Sequence, residues 1–160
     1  MNEVTDLVVI MMVCGFFGHK DAPDTLSILL YQVLVDLVDE GIDTFLVGNQ
    51  GHFDSLVLSL LRQLKQEYPH IAYHIVLAYF PGPQEKNSLY LPTETLYPEG
   101  LELVHPRYAI AWRNKWMINE SDIVVTYITH SWGGAAQYAA MAQRKKKRII
   151  NIASSMANEE

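Results

Sequence analysis

Leu7-Val8-Val9-Ile10-Met11-Met12-Val13-Cys14-Gly15-Phe16-Phe17-Gly18-His19-Lys20 is the stretch whose reading decides the fold. Leu7 to Val13 is continuously apolar rather than alternating, which predicts a strand covered on both faces, as in a parallel sheet. Cys14 to Lys20 then reads as a loop, with two glycines, a histidine and a lysine. The apolar run from Leu7 to Phe17 is far shorter than the ~20 residues of a membrane span. Glu3 and Asp6 precede it, not the basic residues of a secretory signal. A buried strand, no membrane segment and a cytoplasmic setting are therefore expected.

The same alternation of short apolar runs and longer amphipathic segments continues along the chain, the pattern of βα units. Asp24 or Thr25 opens a helix to about Glu40, with Leu26, Leu29, Leu30, Val33, Leu34 and Leu37 on one side and Gly41 as its stop. Thr44 to Val47 is the second strand, and Asp54 or Ser55 begins a helix to Tyr68. Ile71 to Tyr79 is the third strand. Phe80 to Arg107 is a long, proline-bearing connection of the kind that serves as a lid or binding surface. Tyr108 to Glu120 is a helix, Ile123 to Ile128 a strand, Gly133 to about Lys146 an alanine-rich helix and Arg148 to Ala153 the last strand. Ala157 to Glu160 reads as a loose tail. The expected fold is thus a single Rossmann-like α/β domain, residues 1–160 with a core of about 7–153. Its doubly wound, mostly parallel sheet has about five strands, with helices on both faces.

Size and charge narrow the function. A chain of 160 residues with 49% hydrophobic and 19% charged content suits one globular domain with a sizeable core. A net charge of −6 disfavours a broad nucleic-acid surface. The one basic run, Arg144 to Arg148, is either a solvated helix end that complements the dipole or a small binding patch. One cysteine, Cys14, excludes an intramolecular disulfide. It reads as a small buried hydrophobe more readily than as a reactive thiol. The six histidines include no helical metal-binding pair, so no metal site is expected.

In a parallel sheet the strand-to-helix loops share one edge, where ligands bind. Three loops qualify. The first holds Gly15, Gly18, His19 and Lys20; glycine permits close backbone approach and Lys20 can neutralise phosphate. The second holds Gly48, Asn49, Gln50, Gly51 and Asp54, where Asp54 is either a site carboxylate or a helix cap. The third holds Ser131, Gly133 and Gly134 with Gln137, where a helix start offers free N–H groups to an anion. Its small residues could equally serve helix–strand packing. Arg113 shares a helix face with Trp116 and Met117, and a buried guanidinium wants an anionic partner. Trp112 and Trp116 read as core residues more readily than as base-stacking ones.

Arg113-Asn114-Lys115-Trp116-Met117, then Ser121-Asp122, a hydrophobic strand and Gly133-Gly134 before an alanine-rich helix, resemble the SLOG superfamily. That group joins the LOG cytokinin-activating phosphoribohydrolases, the DprA/Smf proteins and the YpsA-like proteins. The Cys14-Gly15…Gly18-His19-Lys20 opening and the Gly48…Gly51…Phe53-Asp54 turn are most similar to the YpsA-like branch, and the resemblance covers roughly residues 7 to 153. It implies a Rossmann-like fold and a pocket for a nucleotide or nucleotide-derived ligand. It also implies pocket roles for Gly15, Gly18, His19, Gly48, Gly51, Asp54, Arg113, Gly133 and Gly134. The chain departs from the LOG motif: Ala136, Gln137 and Ala140 stand where that motif carries Gly, Thr and the Glu carboxylate. The expectation is therefore a binding or sensing domain with no certain cofactor. One alternative is an N-glycosidic-bond hydrolase in which Arg113 orients phosphate and Asp54 supplies the carboxylate. Another is a non-catalytic dimeric interaction module, with Tyr79-Phe80 and Leu89-Tyr90-Leu91 as apolar contact residues. SLOG relatives commonly self-associate, so a homodimer is expected; light scattering at micromolar concentration should give twice the chain mass, and a monomer would count against it.

Overall fold

The computed structural model describes residues 10–80 and 89–157. Six strands form one all-parallel sheet, β1 (Val13–Gly18), β2 (Thr44–Val47), β3 (Ala72–Val76), β4 (Thr95–Leu96), β5 (Ile123–Tyr127) and β6 (Arg148–Asn151). Their order across the sheet is β4-β3-β2-β1-β5-β6. The α-helices among the described residues are α1 (Ser27–Asp39), α2 (His52–Glu67), α3 (Ala109–Glu120), α4 (Gly134–Arg144) and α5 (Ile152–Ala157). This is the doubly wound α/β architecture expected from the sequence, with one more strand. The chain moves one way from β1 to β4, then returns to the other side of β1 for β5 and β6. The reversal opens a crevice between the carboxyl ends of β1 and β5.

Both sheet faces are covered, which is why the strands are apolar without alternation. On one face Cys14, Phe16 and Phe45 pack under Leu30, Leu34 and Leu37 of α1 and Val57, Leu61 and Leu64 of α2. On the other, Val13, Phe17, Leu46 and Val124 meet Met117 and Ile118 of α3 and Tyr138 and Ala142 of α4. Cys14 is fully buried, and burial pushes its thiol pKa up, so it behaves as a small apolar core residue.

The first strand lies further along the chain than Leu7 to Val13. Residues 7–9 fall outside the described residues, and Ile10, Met11 and Met12 precede β1 with exposed side chains. Cys14 to Gly18 pairs in register with Ile123 to Tyr127. Gly15 and Gly18 are therefore strand residues, not loop residues. An apolar run longer than one strand cannot fix its own register; here the close approach of two helices does so. A Cβ on Gly15 would stand 2.5 Å from Ser121 Oγ, and one on Gly18 would stand 2.3 Å from the Phe53 ring.

Other boundaries shift by a few residues. A 3₁₀ turn at Asp24–Leu26 leads into α1, and Gly41 stops the chain there with φ +105°. Helix α2 begins at His52 rather than Asp54, α3 at Ala109 rather than Tyr108, α4 at Gly134, and β3 stops at Val76. The last strand ends at Asn151, and the next six residues form α5, which takes in Ile152 and Ala153, expected as strand, and Ala157, expected to begin a loose tail; residues 158–160 lie outside the described set. Strand β4, only two residues long, arises inside the long connection, too short to leave a periodic signal. Glu94 holds it. Its carboxylate accepts from Arg62 Nε at 2.8 Å, Arg62 Nη2 at 3.0 Å, Tyr73 Oη at 2.7 Å and the Leu91 N–H at 2.9 Å. The Arg62 hydrogen bond is the main reason the Glu94 pKa falls to about 2.

Gly18→Ala should destabilise the fold by ~1–3 kcal/mol, the usual cost of overpacking a filled core, because the buried Phe53 ring has no free space to yield. Urea denaturation measures it, and Phe53→Leu in the same chain should restore part of the loss. An unchanged midpoint would mean that β1 and α2 are not this close.

Candidate functional site

A cavity of about 710 Å³ opens at the carboxyl ends of β1, β2 and β5, within the size range of small-molecule sites. All three expected loops reach it. Gly18, His19 and Lys20 come from the end of β1, Gly48, Gln50, Gly51 and Asp54 from the β2–α2 turn, and Gly133, Gly134 and Gln137 from the start of α4. Arg113 lines it from α3. Three expected residues do not line it. Gly15 packs against Ser121 within the sheet, and Ser131 is exposed outside the wall. Asn49 stands behind the wall, where its Oδ1 accepts from Arg113 Nη1 at 3.2 Å.

The loops hold one another in place. The His52 N–H donates to the Lys20 carbonyl at 3.3 Å, and the His19 N–H donates to the Tyr127 carbonyl at 3.1 Å. Gly51 lets the Lys20 stem approach, since a Cβ there would meet Lys20 Cγ at 2.9 Å. Asp54 Oδ2 accepts from the Gln50 N–H at 2.9 Å, which closes the β2–α2 turn. Asp54 thus has a structural duty as well as a place in the wall. Burial raises its carboxyl pKa, against the opposing pull of the Gln50 N–H and the Arg113 charge.

Arg113 is the most deeply buried charge in the wall, 1% exposed. Its Nε donates to Asn114 Oδ1 at 2.8 Å and its Nη1 donates to the Val76 carbonyl at 2.9 Å. Among the described residues Nη2 makes no hydrogen bond and the guanidinium forms no ion pair. Burial lowers its pKa, with the Asp54 charge acting in the opposite direction. A buried cation with only neutral acceptors is costly, and an anion in the adjacent cavity would relieve that cost.

The start of α4 supplies the matching feature. Gln137 is the first residue whose N–H reaches back to a carbonyl, that of Gly133, at 3.1 Å. The N–H groups of Gly134, Ala135 and Ala136 have no partner among the described residues, and no side chain caps the helix. Gly133 needs its freedom because φ is +94°. Gly134 has no such need, and a Cβ at either position would meet nothing within 4 Å. Helix–strand packing therefore does not explain this pair; the space in front of it is the cavity. Trp112 and Trp116 are half-buried against core clusters, as read from the sequence.

Two wall features escaped the sequence reading. Arg107 adds a third cation to Lys20 and Arg113, against Asp21 and Asp54, so the cavity collects positive charge in a chain of net −6. His130 stacks on His19 with ring centroids 3.7 Å apart and planes at 12°. His19 is 6% exposed, and its buried Nε2 has no hydrogen-bond partner among the described residues. Its pKa is lowered, first by burial and then by His130, with Asp21 pulling the other way. Nothing in the spacing of 19 and 130 announces a ring pair that only the β1–β5 pairing creates.

A lowered folded-state pKa means that His19 stays neutral while unfolded chains take up a proton. Its contribution to stability is thus present above the ordinary value of ~6.5 and is lost as pH falls through the folded-state value. Ring NMR titration should give a His19 midpoint below ~6.5, and His130→Ala should move it back towards that value. A midpoint at or above the ordinary value would contradict this environment.

No family model matches the chain, and no curated protein matches it.

Proposed function

We propose that the cavity binds a nucleotide or nucleotide-derived small molecule through its phosphate, and that the chain is a SLOG-type, YpsA-like sensing or binding domain. One observation carries this reading: the unpartnered N–H groups at the start of α4 and the buried Arg113 guanidinium line the same cavity. A helix start concentrates partial positive charge and free donors, and a guanidinium offers paired donors suited to phosphate oxygens. Lys20 and Arg107 add charge for a ligand with more than one anionic group. The sequence resemblance points to the same class of ligand.

The surroundings favour binding over bond cleavage. Asp54 is the carboxylate the hydrolase alternative requires, yet its Oδ2 is engaged with the Gln50 N–H. Position 140, where the LOG motif carries Glu, is Ala140 on α4. We therefore keep the hydrolase as the second reading, motivated by Asp54 sharing the cavity with Arg113.

Among the described residues no helix is long and apolar enough to cross a membrane.

A thermal-shift series with AMP, ADP-ribose and nucleotide sugars at millimolar concentration tests the proposal. At a hundredfold excess over Kd a ligand adds about 2.7 kcal/mol of apparent stability, several degrees for a chain of this size. Gly134→Val places a side chain in open space, so apo stability should change by no more than about 0.5 kcal/mol while the shift disappears. Chromatography of the same incubations reads whether free base is released. No shift with any compound, or full binding by Gly134→Val, would overturn the phosphate site.

A further inference from the structure

The loop before α4 carries a feature that phosphate binding does not use. His19 on the cavity wall stacks on His130, and His130 stacks in turn on Trp132, with centroids 3.8 Å apart and planes at 19°. The His130 Nδ1–H donates to the Trp132 carbonyl at 3.0 Å, which ties the ring column to the loop backbone. Three near-parallel rings thus run outward from the buried wall. The column ends in an indole that is 69% exposed although its inner face is covered by His130.

Trp132 stands between two wall residues, His130 and Gly133, so it sits at the cavity rim. It is two residues from Gly134, no more than about 7.6 Å of chain, which brings the indole within a mononucleotide's length of the α4 N–H groups. An exposed tryptophan leaves a large apolar ring in water. Here the stack already fixes its plane, so a ring laid on it would cost little further side-chain entropy.

We infer that the outer face of Trp132 is the stacking platform for the planar heteroaromatic base of a ligand whose phosphate sits at the start of α4. This rests on the phosphate reading above. The column His19–His130–Trp132 gains a fourth, parallel ring, the arrangement that aromatic side chains offer to any nucleobase regardless of sequence. Recognition of the base is then by its π face at the rim, and recognition of the phosphate is by N–H groups and Arg113 inside.

Calorimetric titration of the full chain with ribose 5-phosphate and with AMP separates the two parts. Wild-type protein should bind AMP more tightly. Trp132→Ala should weaken AMP about tenfold or more while leaving ribose 5-phosphate unchanged, and Trp132→Phe should restore part of the loss. AMP should also quench indole emission in the wild type and lose that part of the quench in Trp132→Ala. AMP affinity untouched by Trp132→Ala overturns the platform alone. Equal losses for both ligands assign Trp132 a role in holding the loop and also overturn it. Binding of neither ligand by the wild type overturns the phosphate reading and the platform with it.

Discussion

Strand β1 must lie between β2 and β5 while helices close in on both of its faces, and everything else in the molecule is registered on that constraint. Gly15 lets Ser121 approach from the α3 side, where the Ser121 hydroxyl donates to the Met117 carbonyl at 2.6 Å. Gly18 lets the Phe53 ring of α2 lie over the end of the strand. A β-carbon at either place would push a helix away from the sheet. Because β1 is the strand at which the chain reverses direction across the sheet, its carboxyl end also fixes where the crevice opens.

The site follows from that placement. Once α2 is seated on Gly18, the β2–α2 turn and the loop after β1 are close enough for the His52 N–H to reach the Lys20 carbonyl. Arg113 then joins three elements: α3, which carries it, the end of β3 through the Val76 carbonyl, and the β2–α2 turn through Asn49. The price of that crosslink is a guanidinium 1% exposed to solvent whose acceptors among the described residues are all neutral. The cavity beside it faces the uncapped start of α4. Two electrostatic deficits, a desolvated cation and a helix end without a cap, thus open onto one space, which is why an anion is the occupant the geometry favours.

Much of this was legible in the chain. Continuous apolar runs separated by amphipathic segments gave a parallel α/β sheet, because strands covered on both faces have no polar side to alternate with. The three glycine-bearing loops were placed at one edge for the same topological reason. Arg113 stood out because it shares a helix face with Met117, which is buried. Less legible was which glycine does what. Gly15 and Gly18 look like ligand-loop glycines in sequence, yet their partners are Ser121 and Phe53, more than thirty residues away. Gly133 and Gly134, read from the sequence either as an anion site or as packing glycines, face open space.

The sequence by itself determined the fold class, the order of the main helices and strands and the identity of the loops that meet, since these depend on hydrophobic period and on local turn chemistry. Only the tertiary structure decided the register of β1, the two-residue strand β4 held by Glu94, and the ring column of His19, His130 and Trp132. Each of these is set by contacts between residues far apart in the chain: strand pairing brings positions 19 and 130 together, and a carboxylate between Arg62 and Tyr73 holds a strand too short to have a period. Local pattern carries no information about such contacts, because their free energy arises only once the sheet has closed.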